Sequence, residues 1–483
     1  MHTRAIQAAL AGQPLAQCAV ILALINLSGC AGSRPDPMTE AAVSAAVGLG
    51  QPIEFRTEAG LLDEPSQARD DLTLVDAVRR AATTSPGLQA ALARVRIAMA
   101  EADQARLLPN PVLDFVLRWG PGKPQIEVSL AQDLIQMFKI PRQAGAADNR
   151  LRQAASDAVT VALDTVAEVQ ERYVAVQTLG SLVPVLAERR GLLDKLVATA
   201  RARLEAQEGT RSDLTTLEAQ RVELDVDIAE AKRQLTEERL RLARLIGEPS
   251  GSASWRVDSW TAPALASSLE SHWVEAALQH RPEVQSVAWM LAALGDDEAL
   301  ARLLPWEGLG VGVDAQRDPD WTVGPSVSTP IPIFDMGQAG RARVTAEQIE
   351  ARHNLTLAKR KVVEEVRVAF QSLDASADNL KRIQSELIPL QQQRRQQAED
   401  AYRAGQTDVT ALFLAEQDLR AARAKAIEVE QQMSISLIRL QRAVGGPGVA
   451  ASVGESPATT EHNTPVSVSP LAITPINLHI SNH

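Results

Sequence analysis

The sequence predicts a mainly α-helical chain with a small membrane β part, in which a unit of long coiled-coil hairpins and two short strands occurs twice. The duplication is the first observation. Ser85-Pro86 returns as Arg281-Pro282, Leu108-Pro109 as Leu304-Pro305, and Gln143-Ala144-Gly145 as Gln338-Ala339-Gly340. Tyr173 is answered by Phe370, Gly209 by Gly405 and Gly247 by Gly445. A period of about 196 residues is domain-sized, far beyond the roughly 20 to 50 of a solenoid repeat. The second observation is two pairs of alternating segments, and the third is a pair of arms rich in Ala, Leu, Gln, Glu and Arg. Aromatics make up only 3% of the 483 residues, a palette of long helices rather than of compact mixed domains. The 26 prolines and 27 glycines gather in the connections and at the two ends. A net charge of −11 with no concentrated basic face argues against a nucleic-acid partner.

Taken in order, residues 1–29 read as a signal peptide. Met1 to Gln17 carries one fixed positive charge, Arg4, and Cys18 to Leu27 is an apolar run too short to span a bilayer. It ends in Leu27-Ser28-Gly29-Cys30, which resembles a bacterial lipobox. Cys30 is then the acylated, palmitate-bearing first residue of the mature chain, although an ordinary signal peptide with an incidental cysteine would share the pattern. Removal of Cys18 with the leader would exclude a disulfide, and Ala31 after the cysteine is compatible with export to the outer membrane. Residues 30–71 read as a lipidated arm, rich in Pro, Gly and acidic residues, with one apolar stretch near Ala41 to Leu49.

The first repeat is expected at 72–247, with strands near 111–119 and 125–134. Leu113, Phe115, Leu117 and Trp119 share one face, and Val112, Asp114, Val116 and Arg118 the other. After the turn Gly120-Pro121-Gly122-Lys123, residues Ile126, Val128 and Leu130 alternate with Gln125, Glu127 and Ser129. The second repeat, 271–446, follows a linker at 248–270 and places its strands near 307–316 and 321–330. Leu309, Val311, Val313 and Ala315 alternate with glycines and Asp314, then Trp321, Val323 and Val327 with Thr322, Gly324, Ser326 and Ser328. Apolar faces with tryptophan near the turn are the pattern of membrane-spanning strands; a hairpin lying on a soluble core would also alternate. Four strands cannot close, and an open edge in hydrocarbon leaves backbone groups unpaired, so several protomers must pool them. The run Gly308-Leu309-Gly310-Val311-Gly312 lacks the strand and helix that a phosphate-binding loop needs.

Helical hairpins are expected at about 142–247, with its tip at 209, and at about 340–445, with its tip at 405. Arms of about 65 residues would reach roughly 100 Å. Pro184 and Pro389 should kink rather than end them. Leu214, Leu217, Arg221, Leu224, Ile228, Ala231, Leu235, Glu238, Leu242 and Leu245 follow three-four spacing along a returning arm, and eight of the ten are apolar. Val222, Val226 and Leu240 lie off that seam, as a helix with two neighbours requires; an isolated antiparallel coiled coil would need fewer such positions. The remainder, 447–483, is expected to be a disordered tail.

From Leu72 to Gly446 the chain resembles the TolC-type outer-membrane efflux proteins. The most specific residues are the tips, from Gly209 to Gln220 and from Tyr402 to Gln417, where a glycine-led turn enters the returning helix. The resemblance implies a homotrimer in which twelve strands form an outer-membrane barrel and twelve helical arms a periplasmic tunnel. It further implies the exit duct of a tripartite efflux pump, docked to a periplasmic adaptor and an inner-membrane pump. Gly209, Thr210, Arg211, Gly405, Gln406 and Thr407 become the candidate adaptor contacts, although both glycines also suit a bare turn. Where the family often has an acidic mouth, Ala411 and Leu414 stand here, with Asp408 nearby and Glu218 in the first copy. Leu387-Ile388-Pro389 is similar to the heavy-metal branch served by resistance-nodulation-division pumps, and drug export is equally open. Seven scattered histidines form no catalytic or metal-binding motif, so no enzyme activity, metal or cofactor is expected. A periplasmic adaptor would show one hairpin flanked by β-domains, and a structural coiled-coil lipoprotein would need no strands.

Overall fold

A computed structural model describes residues 37–48, 53, 55–56, 71–120, 124–261, 263, 269–317 and 320–454. Cys30, the signal peptide, most of the arm at 30–71 and residues 455–483 lie outside them. Apart from Pro37 the described residues fall in one unit, Met38–His483.

The arm contributes α1 (Pro37–Val47), which buries Val43 in the core of the first repeat and pairs Glu40 with Arg96 at 3.1 Å. The first repeat then runs β1 (Asp71–Leu72), α2 (Leu74–Thr84), α3 (Pro86–Ala105), β2 (Val112–Arg118), β3 (Gln125–Asp133), α4 (Leu134–Glu205) and α5 (Arg211–Leu245). After β4 (Arg256–Val257), the second runs α6 (Glu270–His280), α7 (Pro282–Ala301), β5 (Gly310–Arg317), β6 (Trp321–Ser328), α8 (Gln338–Arg382), α9 (Ile388–Arg403) and α10 (Val409–Ala443). Residues 447–454, expected to open a disordered tail, instead form α11 (Pro447–Gly454), with Ala450 buried in the second core.

Local chemistry sets the helix starts. Thr73 and Ser85 accept hydrogen bonds from the amides of Asp76 and Leu88, and Pro86 occupies the first turn of α3, where a missing N–H costs nothing. Asp133 caps α4 through the amides of Ile135 and Gln136, so helix follows strand without a loop. The 72-residue α4 runs unbroken through Pro141 and Pro184. Pro389 behaves differently. It follows a five-residue π turn, Ile383–Leu387, closed by the Ile388 amide donating to the Ile383 carbonyl. The proline supplies no N–H to Ser385, and the wider turn absorbs the defect.

That turn also absorbs a residue. Val169 and Tyr173 in the first core match Val366 and Phe370 in the second at a separation of 197, whereas Leu242 and Ile246 match Leu440 and Val444 at 198. The second repeat therefore gains one residue after Phe370, and a π turn is the form one inserted residue takes inside a helix.

The long helices lie in the order α5, α4, α10, then α8 with α9, and α3 and α7 pack on α4. The outer members keep apolar residues uncovered: Val222, Val226 and Leu240 on α5, and Ile349, Leu357 and Val368 on α8. The span between the repeats is structured in part. β4 pairs in parallel with β1, Trp255 is buried, and Tyr173 donates to the Leu72 carbonyl at 2.8 Å while accepting from the Asp258 amide at 3.2 Å. Burial, with the Asp258 carboxylate beside it, pushes this phenol up to about 12.

Candidate functional site

The four main strands form one antiparallel sheet in the order β2-β3-β5-β6, so the two repeats meet at the β3–β5 ladder. Cross-strand partners share a face, and the register aligns the apolar residues in rows. Leu113, Leu130, Val313 and Pro325 form one row; Phe115, Val128, Ala315 and Val323 the next; Leu117, Ile126, Arg317 and Trp321 a third. Phe115, Val323 and Val327 are more than 60% exposed, so none of the described residues covers this face there. The opposite face presents Asp114, Ser129 and Asp314 in one row and Val116, Glu127, Gln316 and Thr322 in another, with Arg118 bonded to Glu127 at 2.9 Å. β2 and β6 are free edges. Gly312 needs its lack of side chain, since a Cβ there would lie 2.6 Å from the Leu130 carbonyl oxygen.

At the far ends of the hairpins the structure corrects the first tip. Gly209 does not carry the left-handed turn; Gln207 does, at φ 62°, and the Glu208 amide donates to the Arg203 carbonyl at 2.8 Å. In the second tip Gly405 holds that position at φ 67°, and the Gln406 amide donates to the Ala401 carbonyl at 2.9 Å. Both are helix C-caps closed by a six-to-one bond. The structural partner of Gly405 is thus Gln207, and Gly209 serves close approach instead, its Cβ position lying 3.2 Å from the Arg203 Cβ. Thr210 caps α5 by accepting from the Asp213 amide. The matching residue, Asp408, makes no such cap bond.

Asp408 is drawn elsewhere. Its carboxylate pairs with Arg203 of the first hairpin and accepts from the Thr410 hydroxyl at 3.0 Å, while Glu218 pairs with Arg201 at 2.8 Å. The sequence singled out Asp408 and Glu218 but neither arginine. The available signal was the basic pair in the last turns of α4, where cations favour the helix C-terminus. Thr210, Arg211, Gln406 and Thr407 are all exposed, and the Arg203–Asp408 pair brings the two tips together. Above them, Arg395 and Arg420 converge on Glu416, and Arg420 reaches Glu188 of α4 at 3.4 Å. Burial pushes Glu416 up, but the hydrogen bonds and charges of Arg420 and Arg395 outweigh it and hold the carboxyl below its ordinary value.

A second ionic junction ties the repeats near the other end of the returning helices. Arg281 bonds Glu283 at 3.0 Å and Glu365 at 2.5 Å, and Arg442 bonds Glu283 at 2.5 Å and Asp164 at 2.6 Å. Burial raises the Glu283 carboxyl, yet the Arg442 and Arg281 charges hold it net below the usual range. No group of residues fit to hold a metal occurs among the described residues, and no described helix is long and apolar enough to cross a membrane.

The profile of the family described as outer membrane efflux protein matches residues 273–446. The multidrug resistance outer membrane protein MdtP of Escherichia coli O6:H1 is 23% identical over 438 residues, covering 87% of this chain and 86% of that protein. Among solved structures, the outer-membrane channel OprN aligns at TM-score 0.64 and 18% identity, over 83% of this chain and 99% of that one. VceC of Vibrio cholerae aligns at 0.64 and 16%, over 77% and 96%. The profile thus matches the second repeat, the relative aligns across both repeats, and the chain shares the duplicated fold of these solved outer-membrane proteins.

Proposed function

We propose that this protein is the exit duct of a tripartite efflux system, assembled as a homotrimer. Three chains pool their strands into a twelve-stranded outer-membrane barrel and their helices into a periplasmic tunnel. The observation that carries this reading is a sheet with one uncovered apolar face and two free edges, above a helical layer whose outer members also keep apolar residues exposed. Lipid accounts for the face and neighbouring copies for the edges. Cys30 anchors the chain by acylation at a lipobox, a reading that fails if mass spectrometry finds the mature N-terminus unmodified or at another residue.

On this reading the tips receive a periplasmic adaptor linked to an inner-membrane pump of the resistance-nodulation-division class, with Thr210, Arg211, Gln406 and Thr407 in contact. The Arg203–Asp408 and Arg201–Glu218 pairs occupy the place of the acidic mouth, each carboxylate matched by an arginine, so the mouth carries less free negative charge than Asp408 and Glu218 alone suggest. The substrate, drug or heavy-metal cation, is whatever the pump delivers. Arg211→Trp with Gln406→Trp tests the docking role, because both side chains are exposed and neither caps a helix nor holds a turn φ angle, whereas Thr210 must stay to cap α5. Normal trimers that lose export and adaptor crosslinking are expected; unchanged export would leave the tips with a structural role only.

A further inference from the structure

The segment joining β6 to α8 is Thr329-Pro330-Ile331-Pro332-Ile333-Phe334-Asp335-Met336-Gly337. Phe334 is 93% exposed, Ile331 77% and Ile333 70%, with Met336 also exposed. Four large apolar side chains in six residues are left largely uncovered by the described residues. The backbone is nonetheless fixed. The Ile333 amide donates to the Ile331 carbonyl, the Gly337 amide to the Asp335 carboxylate and the Met336 amide to the Gln338 side chain, each at 2.8 Å. Gly337, at φ 73°, closes against Pro305, which precedes the exposed Trp306. Three of the segment's amides are thus satisfied locally beneath bare apolar side chains, which lowers the cost of placing it where water is scarce.

Strand length points the same way. β6 has eight residues, about 27 Å along the strand at roughly 3.4 Å each and about 20 Å along the barrel axis at a tilt near 40°. An outer-membrane barrel carries an apolar band about 25 Å tall, flanked by aromatic girdles. Trp119 and Trp321 mark the turn end of the sheet. At the opposite end, the shortfall falls on the residues that leave the strands: Ile331, Ile333, Phe334 and Met336 after β6, Met137 and Phe138 after β3, and Trp306 before β5, all with exposed side chains. Exposed Arg341 and Arg343 follow on the first turns of α8, at the level where a phosphate would stand above buried apolar anchors.

We propose that residues 331–336 seat in the boundary between phospholipid acyl chains and headgroups on the helical side of the membrane, with Phe334 as the wedge and Arg341 and Arg343 as headgroup contacts. The proposal rests on the reading that the sheet spans the membrane, and the test separates the two. A photoreactive benzoylphenylalanine is placed singly at Phe334, Phe115 or Tyr402 of the full chain, and the protein is reconstituted in phosphatidylethanolamine–phosphatidylglycerol vesicles and irradiated. The expected result is a mass gain of one phospholipid at 334 and at 115, and none at 402 on the hairpin. A gain at 115 alone, with a chain-to-chain crosslink or no adduct at 334, overturns the lipid seat and leaves the barrel standing. A gain at 402 as well overturns it as indiscriminate labelling. No gain at 115 overturns the spanning sheet and the lipid seat with it.

Discussion

The two hairpin tips solve one geometric problem with different residues. A left-handed C-cap costs a residue with a Cβ about 1–2 kcal/mol, and glycine avoids that cost while losing about 0.5–1 kcal/mol to its looser unfolded chain. Gln207 bears the penalty and Gly405 does not. Gln207→Gly should therefore tighten the first tip, and Gly405→Ala loosen the second, each by up to about 1 kcal/mol net of the two effects. Tips open locally without global unfolding, so the readout is hydrogen exchange of peptides spanning 200–212 and 398–410; unaltered exchange in both variants would contradict the φ assignment. Glu283 offers a titration at the same scale. Its folded carboxyl lies below the ordinary value of 4.5, so its contribution is fully present above pH 4.5 and disappears as pH falls through the lowered folded value. Glu283→Gln should lower stability by roughly 1–3 kcal/mol at pH 7 and flatten the loss of thermal midpoint on acidification. An acid slope identical to that of the unsubstituted protein would show that the junction adds nothing.

Among the elements, the strands test the lipid-facing assignment most directly. Phe115, at the centre of β2, sits in the row Phe115, Val128, Ala315 and Val323, inward of the Trp321 end, and Phe115→Arg should impair insertion by about 2–4 kcal/mol. The folded fraction in lipid vesicles across a denaturant series measures it. The strands were legible in the sequence because alternation has a period of two and the register preserved the faces that alternation assigned. The long helices were legible because nothing in them stops a helix firmly. What escaped shares a different cause. The two-residue ladder of β1 with β4 is too short for any periodicity and joins positions 185 residues apart. The π turn shows only as a one-residue change of offset between repeats, which needs core partners such as Tyr173 and Phe370 to fix the alignment. Gln207 was hidden because glycine two residues away drew the turn assignment to itself. The Arg203–Asp408 link joins separate hairpins, so no local pattern records it.

At the scale of the whole molecule, the joined sheet has a consequence for mixed populations. Because β3 of the first repeat pairs directly with β5 of the second, each chain of the proposed barrel would contribute an unbroken arc of wall, with no strand of another chain between its halves. In the proposed trimer the chain is then the smallest unit that can fail, and three must succeed together. If Phe115→Arg chains still associate but cannot seat their arc, a cell making altered and unaltered chains in equal amounts would close roughly one assembly in eight from sound chains alone. Export should then fall far below half, whereas a fall to half would mean that altered chains are excluded before assembly. A defect of this kind would be genetically dominant, with severity set by expression ratio, although each altered chain carries a single substitution on one strand.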